Sequence, residues 1–324
     1  MNDRKLPNLE RALDDELMKN LLAVSLRQPP DREENFLRQV RHRVLKYTPG
    51  KRCVIEYRLW FGDSRPGRVI GKLYRKNRGQ LIFENWRQLW QATRGDGERE
   101  GLGMPEPLAY LPEIGMIAQS AVAGRPLAEF VEHADLVAAM RCVARNLSAL
   151  HDSAVAVGEK KTLDDHIKKY CHPGPHVLIE SCPEAAPLVE HILRRLAEDK
   201  SLPLAPICPV HGDLNLAQIF IAGDLAFFID FDGLCLSPPA LDIGNFLVTL
   251  QVHFGSASAA LQNIFLENYN ARRSLQMLTG LRAYQAFACL RRAVICARAP
   301  AVADWRQQVR QLLEAGSAFL ENEN

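Results

Sequence analysis

The sequence predicts an α+β fold in two lobes, a small antiparallel-sheet N-terminal lobe and a larger, mainly helical C-terminal lobe. Three observations predict it. Residues 42–74 alternate apolar and polar side chains in the period of two that marks half-covered strands. Residues 135–151, and the chain beyond 240, repeat apolar positions every three to four residues, the helical period. Between these regions, residues 209–231 form a short hairpin with a carboxylate at each end.

Taken in order, residues 8–27 place Leu9, Leu13, Leu17, Leu21 and Val24 at helical spacing, and Pro29 and Pro30 stop the pattern. Strands are expected over 42–47, 52–61 and 68–74. The turns at Thr48-Pro49-Gly50 and at 62–67 join them into an antiparallel meander. Along the second strand, Cys53, Ile55, Tyr57, Leu59 and Phe61 alternate with more polar neighbours. A helix over 81–93 puts Ile82, Trp86, Leu89 and Trp90 on one side. After a charged, Gly-rich break at 95–103, strands at 108–111 and 116–120 complete the sheet.

Residues 121–125 read as a linker. The 135–151 helix carries the stripe Leu136, Met140, Val143, Leu147 and Leu150, and residues 155–206 are mixed helical with a Pro-rich break at 173–175. Residues 218–221 and 225–229 flank the turn Ala222-Gly223-Asp224 as a hairpin. Helices are then expected over 240–253, 257–268, 273–297 and 302–320. The domain reading is an N-terminal helical extension (1–34), an N-lobe (35–120) and a C-lobe (121–324).

Composition narrows the partners. A net charge of +2 gives no whole-molecule field for wrapping nucleic acid. No apolar run approaches the length of a membrane span. The first residues, charged and interrupted by Pro7, do not read as a secretory leader, so a cytoplasmic protein is expected. Eight cysteines without a CxxC pair read as scattered reduced thiols. Cys171, His172, His176 and Cys182 are close in sequence, but their spacing matches no common closed zinc site.

The chemistry concentrates in His211-Gly212-Asp213-Leu214-Asn215-Leu216-Ala217-Gln218 and Ile229-Asp230-Phe231-Asp232-Gly233. A hairpin between the two stretches can bring Asp213, Gln218 and Asp230 within reach of one ligand. Phosphoryl transfer asks for such a set: a carboxylate to orient or deprotonate a hydroxyl, oxygen ligands for Mg²⁺, and a cation on the phosphates. Water and phosphates complete the metal's octahedron, so few protein ligands suffice. Turn-capping aspartates with nothing bound are the bland alternative.

These motifs resemble those of the aminoglycoside phosphotransferase and choline kinase-like superfamily, which shares the protein-kinase-like fold. The resemblance implies that Asp213 is the catalytic carboxylate and that Asp230 binds the metal. By the same resemblance His211 supports the catalytic loop, and Asp242 in Pro239-Ala240-Leu241-Asp242 braces it. Gln218 stands where the family usually has Asn, as a second metal ligand with a longer reach. Asp232 is placed to contact the acceptor or a second metal. In the N-lobe, the resemblance makes Lys72 the phosphate-binding lysine, with Lys76 its nearest competitor, and Glu84 its candidate helix partner. Thr48-Pro49-Gly50-Lys51-Arg52 would be the phosphate loop, with Lys51 or Arg52 supplying charge, and 117–123 the adenine-facing hinge.

The function this implies is ATP- and Mg²⁺-dependent transfer of the γ-phosphate to a hydroxyl of a small molecule: a sugar, an amino alcohol or an aminoglycoside-like compound. The departure at Gln218 and the single glycine of the phosphate loop leave an inactive nucleotide-binding or regulatory protein as the alternative. Arg272, Arg273, Arg282, Arg291, Arg292 and Arg298 crowd the later helices with few acids among them. That bias makes a neutral sugar, an amino alcohol or an anionic metabolite at least as fitting as a polycationic antibiotic.

Overall fold

The computed structural model describes residues 3–26, 36–61, 66–75, 78–94, 102–172, 174–271, 275–298 and 303–321. Pro29 and Pro30, Lys76, Arg272, Arg273 and most of the 62–67 and 95–103 connections lie outside the described residues. The chain divides into two compact units, Met1–Ala123 and Gly124–Asn324.

The first unit is built on a five-stranded antiparallel sheet in the order β1-β2-β3-β5-β4. Its strands are β1 (Leu37–Thr48), β2 (Arg52–Phe61), β3 (Gly67–Tyr74), β4 (Pro107–Leu111) and β5 (Met116–Ser120). Cys53, Ile55, Tyr57 and Leu59 of β2 share one buried face with Val69 and Leu73 of β3. Two N-terminal helices, α1 (Leu9–Ala12) and α2 (Asp15–Ser25), belong to the same core through Leu9, Ala12, Met18 and Leu22. Each fully buried leucine there stabilises by about 1.5–3 kcal/mol. The segment expected as a separate extension thus packs on the sheet, and the Tyr57 hydroxyl donates to Ala12 O at 2.6 Å.

The single helix expected over 8–27 is two. The Asp14 carboxylate accepts from the N–H groups of Glu16 and Leu17, both at 3.0 Å, so the chain restarts its helix there as a capped N-terminus. The other sheet face carries Arg52, Glu56, Ile70, Lys72, Ile117 and Gln119, fixed on one side by the β2–β3 and β3–β5 registers. A helix, α3 (Arg78–Thr93), lies between β3 and β4 in the chain.

The second unit begins with β6 (Arg125–Pro126) and α4 (His133–His151), followed by α5 (Leu163–Tyr170), α6 (His176–Ser181) and α7 (Ala186–Glu198). Then come β7 (Cys208–Val210), the hairpin β8 (Ile219–Ala222) and β9 (Leu225–Phe228), and β10 (Cys235–Ser237), which pairs antiparallel with β7. Helices α8 (Ala240–Phe254), α9 (Ser258–Asn270), α10 (Leu281–Arg298) and α11 (Trp305–Glu321) complete it. Residues 240–250 of α8 are all buried, as in a helix apolar on every side. Its first turn bonds the loop that follows β7, through Asp242. No helix of the described residues is long and apolar enough to cross a membrane.

Candidate active site

The 211–213 loop leaves β7 and is held from α8. The Asp242 carboxylate accepts the backbone N–H of His211 at 2.6 Å through Oδ2 and that of Gly212 at 2.8 Å through Oδ1. Three residues on, Asn245 donates its amide to Leu214 O at 2.5 Å. Positions i and i+3 share a helix face, so one face of α8 grips both ends of the loop. Asp242 is wholly buried. Burial pushes its carboxyl up, but the His151 hydrogen bond, the charges of His151 and His211 and the His211 N–H outweigh it and hold the group below the usual carboxylate range. His151, at the end of α4, places Nε2 3.3 Å from Asp242 Oδ2 and Nδ1 2.8 Å from the Tyr269 hydroxyl, within hydrogen-bond reach of both. A Tyr-His-Asp chain therefore runs from α9 to the loop.

His211 performs the second coupling. Its Nε2–H donates to Ile229 O at 2.9 Å, the residue before Asp230, and its ring packs on Phe231 with centroids 4.9 Å apart. Gly212 has φ +77°, and a Cβ there would lie 2.3 Å from Gly233 O. Only glycine allows the two loops to pass this closely. Asp230 itself adopts φ +72°, ψ 58°. A non-glycine residue in this region costs of order 1–3 kcal/mol, and such strain concentrates at functional sites. The loops carrying Asp213 and Asp230 are thus locked side by side by His211, Gly212 and Gly233.

Between them Asn215 and Gln218 form a reciprocal cap around a short 3-10 turn, Leu216–Gln218. Asn215 Oδ1 accepts from Ala217 N at 3.1 Å, and Gln218 Oε1 accepts from Asn215 N at 3.2 Å and Asn215 Nδ2 at 2.9 Å. Gln218 then offers its amide N–H to Asp213 Oδ2 at 3.3 Å. The Gln218 oxygen expected to face a metal is turned into the loop, and its amide braces Asp213. The donors best suited to a hard divalent cation are the half-buried carboxylates of Asp230 and Asp232. An all-oxygen pair fits Mg²⁺, which needs only one or two protein carboxylates beside nucleotide phosphates. No cluster of three or more His, Cys, Asp or Glu that could hold a metal occurs among the described residues. Cys171 and Cys182 are buried in the apolar core.

Asp213 has a second neighbour that sequence spacing does not reveal. Arg291 of α10 donates from Nη2 to Asp213 Oδ1, and its guanidinium lies over the Tyr170 ring, 4.1 Å from the centroid. The Tyr170 hydroxyl donates to Gly212 O at 2.6 Å and receives the Lys169 ammonium at 3.0 Å. Burial, and then the charge of Asp213, raises the Tyr170 phenol above its ordinary pKa, so it stays a donor.

In the first unit Lys72 is buried on the face opposite the α1–α2 core, with its ammonium 5.5 Å from the centre of the Tyr74 ring. Arg52 shares that face. Glu84, half-buried on α3, accepts from Gln80 Nε2 at 3.0 Å, a bond within its own helix. Lys51 is exposed in the β1–β2 turn. The amide of Gly50, the centre of the expected phosphate loop, donates to Asp3 Oδ2 at 2.7 Å, so a carboxylate from the N-terminus already sits on it. The residues that motif reading missed, His151, Asn215, Asn245, Tyr170 and Arg291, all act on the 211–213 loop. Asn245 had a sequence signal in its i+3 spacing from Asp242, and Asn215 one in its i+3 spacing to Gln218.

Comparison with known proteins identifies the family and the fold. Residues 54–287 match the phosphotransferase enzyme family, APH. No curated protein sequence matches. Among solved structures, choline kinase LicA from Streptococcus pneumoniae superposes with a TM-score of 0.61 at 16% identity, covering 94% of this chain and 98% of that one. A putative aminoglycoside phosphotransferase from Ralstonia eutropha JMP134 gives 0.63 at 14% identity, covering 95% and 98%. Amicoumacin kinase hAmiN, solved with AMP-PNP, Ca²⁺ and Ami, gives 0.60 at 15% identity, covering 95% of each chain. A family match over most of the chain, on a fold shared with these kinases, makes this protein a member of the phosphotransferase enzyme family, within the aminoglycoside phosphotransferase and choline kinase-like superfamily.

Proposed function

We propose that the protein is a small-molecule kinase that transfers the γ-phosphate of ATP, with Mg²⁺, to a hydroxyl of its acceptor. The observation that carries this reading is the locking of the Asp213 and Asp230 loops through His211 and Asp242. Asp213 is the carboxylate that orients the acceptor hydroxyl and takes its proton as the phosphoryl group moves. Gln218 holds that carboxylate through its amide, and Asn215 holds the Asp213 backbone carbonyl from within the same loop. Asp230, with Asp232 two residues on, supplies the oxygens for the metal. A divalent cation held by these carboxylates would supply positive charge to offset that developing on the phosphate oxygens. In the first unit, Lys72 is the cation assigned to the nucleotide phosphates, and Arg52 on the same face is its companion. Glu84 and Lys51 are weaker members of this set, since one is engaged by Gln80 and the other is exposed in a turn.

The test is a pair of isosteric variants. Asp213→Asn should keep nucleotide affinity and lose about 10²–10⁴-fold in transfer. Asp230→Asn should weaken Mg²⁺-dependent nucleotide binding, measured by calorimetry, as well as turnover. Full transfer by both variants would sink the assignment. Tight nucleotide binding by the wild type without Asp213-dependent turnover would favour the inactive binding protein instead.

A further inference from the structure

We infer that the acceptor is a hydroxyl compound carrying its own anionic group, a carboxylate or phosphate, and that Arg291 is the residue that recognises it. This rests on the reading of Asp213 as the hydroxyl-orienting carboxylate and adds the chemistry of what approaches it. The argument begins with what already sits there. The Arg291 side chain is 12% exposed and Asp213 28%, so the guanidinium is the more enclosed partner of the pair. It is stacked on Tyr170, whose hydroxyl is fastened to the catalytic-loop backbone at Gly212. Lys169 adds a second positive charge on the same tyrosine hydroxyl.

An acceptor hydroxyl must take the position on Asp213 that Arg291 now shares. If the carboxylate turns to the hydroxyl, a largely enclosed guanidinium loses its anionic partner, and breaking such a pair without compensation is strongly unfavourable. An anionic group on the acceptor restores the balance. The planar fork of arginine matches a carboxylate or phosphate through two parallel hydrogen bonds. A cationic acceptor makes the balance worse, because it meets Arg291 and Lys169 with like charge. Before the acceptor arrives, the same guanidinium keeps Asp213 paired and in place. Arg291 is thus a specificity residue with two successive anionic partners, first Asp213 and then the acceptor.

The experiment uses the full chain, ATP or a non-hydrolysable analogue with Mg²⁺, and probe sets whose members differ chiefly in whether they carry an anionic group. Glycerol is compared with glycerate and glycerol 3-phosphate, glucose with gluconate and glucose 6-phosphate, and ethanolamine and choline with serine. Binding is read by calorimetry with the analogue and transfer by phosphate incorporation. The expected result is at least a tenfold preference for an anionic member within a set, and the carboxylate and phosphate arms identify which anion is read. Arg291→Met should erase that preference, raising the KM for the anionic probe at least tenfold while nucleotide Kd moves less than twofold. Arg291→Lys, which retains charge and loses the fork, should fall between the two. Thermal unfolding of both variants separates lost recognition from lost folding. A preference for neutral or cationic probes, failure of every anionic probe to bind, or an anion preference that survives Arg291→Met overturns the inference. Anion binding that depends on Arg291 without Asp213-dependent transfer would instead uphold the anion site and remove the phosphotransfer reading.

Discussion

Among the described residues, each unit buries one carboxylate almost completely, and the two are kept ionised by different means. Glu56 in the first unit is 1% exposed and is surrounded by Arg43, Arg58 and Arg68, whose own side chains are 53–62% exposed except that of Arg58 at 52%. Burial pushes its carboxyl up, and the Arg68 hydrogen bond and the charges of the three arginines bring it below the usual value. Asp242 in the second unit is fully buried and is held by His151 first, and by the backbone N–H groups of His211 and Gly212, which it also bonds. Flexible, hydrated side chains can rearrange around a lost charge. Backbone donors cannot leave, so the carboxylate that binds them also dictates the path of the 211–213 loop. The first arrangement solves a problem of burial; the second builds a site.

The same isosteric change at both positions tests that contrast most strongly. Asp242→Asn places an amide donor against backbone donors in a dry environment and should cost about 3 kcal/mol in denaturant unfolding. It should also raise amide exchange at His211 and Gly212 and lower transfer. Glu56→Gln should cost only about 1 kcal/mol, because water screens the exposed arginines. Equal costs at the two positions would break the comparison.

Acidification should separate the units next. Burial, reinforced by the charges of Lys169 and Lys161, pushes His166 down to about 4. Its folded pKa lies below the ordinary histidine value, so its neutral burial stabilises fully at neutral pH. That contribution is lost as pH falls from about 6.5 towards 4, where the unfolded chain binds the proton first, a change of up to about 3 kcal/mol. Both depressed carboxylates, Glu56 and Asp242, contribute above the ordinary carboxylate pKa and lose that contribution only at lower pH, as each is protonated. Peptide-resolved hydrogen exchange, corrected for intrinsic rates, should therefore show the second unit losing protection at pH 5 before the first. His166→Gln should flatten that dependence, and a second unit as acid-resistant as the first would contradict it.

Much of the site was legible in the sequence because its chemistry is local. His211, Asp213 and Gln218 lie within one loop, Asp230 closes the hairpin that follows it, and Asp242 begins the next helix. The period of two along β3 put Lys72 on its correct face, with Ile70 and Tyr74. The break at Asp14 was also written locally, as an acidic cap before Glu16 and Leu17, but the apolar period running through it hid the signal. The direction of the Gln218 amide was not legible. It depends on Asn215 closing a reciprocal cap, and a motif position carries no information about which side of an amide faces the metal.

What the sequence by itself determined was the order and type of most of the elements and the placement of the carboxylates at the ends of one hairpin. Periodicity and neighbouring residues express those directly. What only the tertiary structure decided was the company those carboxylates keep. Arg291 reaches Asp213 across 78 residues of chain, and His151 reaches Asp242 across 91. Such pairs are set by how α4, α8 and α10 pack, not by any pattern within one segment. The sequence could count the later-helix arginines and note their excess. Packing chose Arg291 from among them and set it on Asp213.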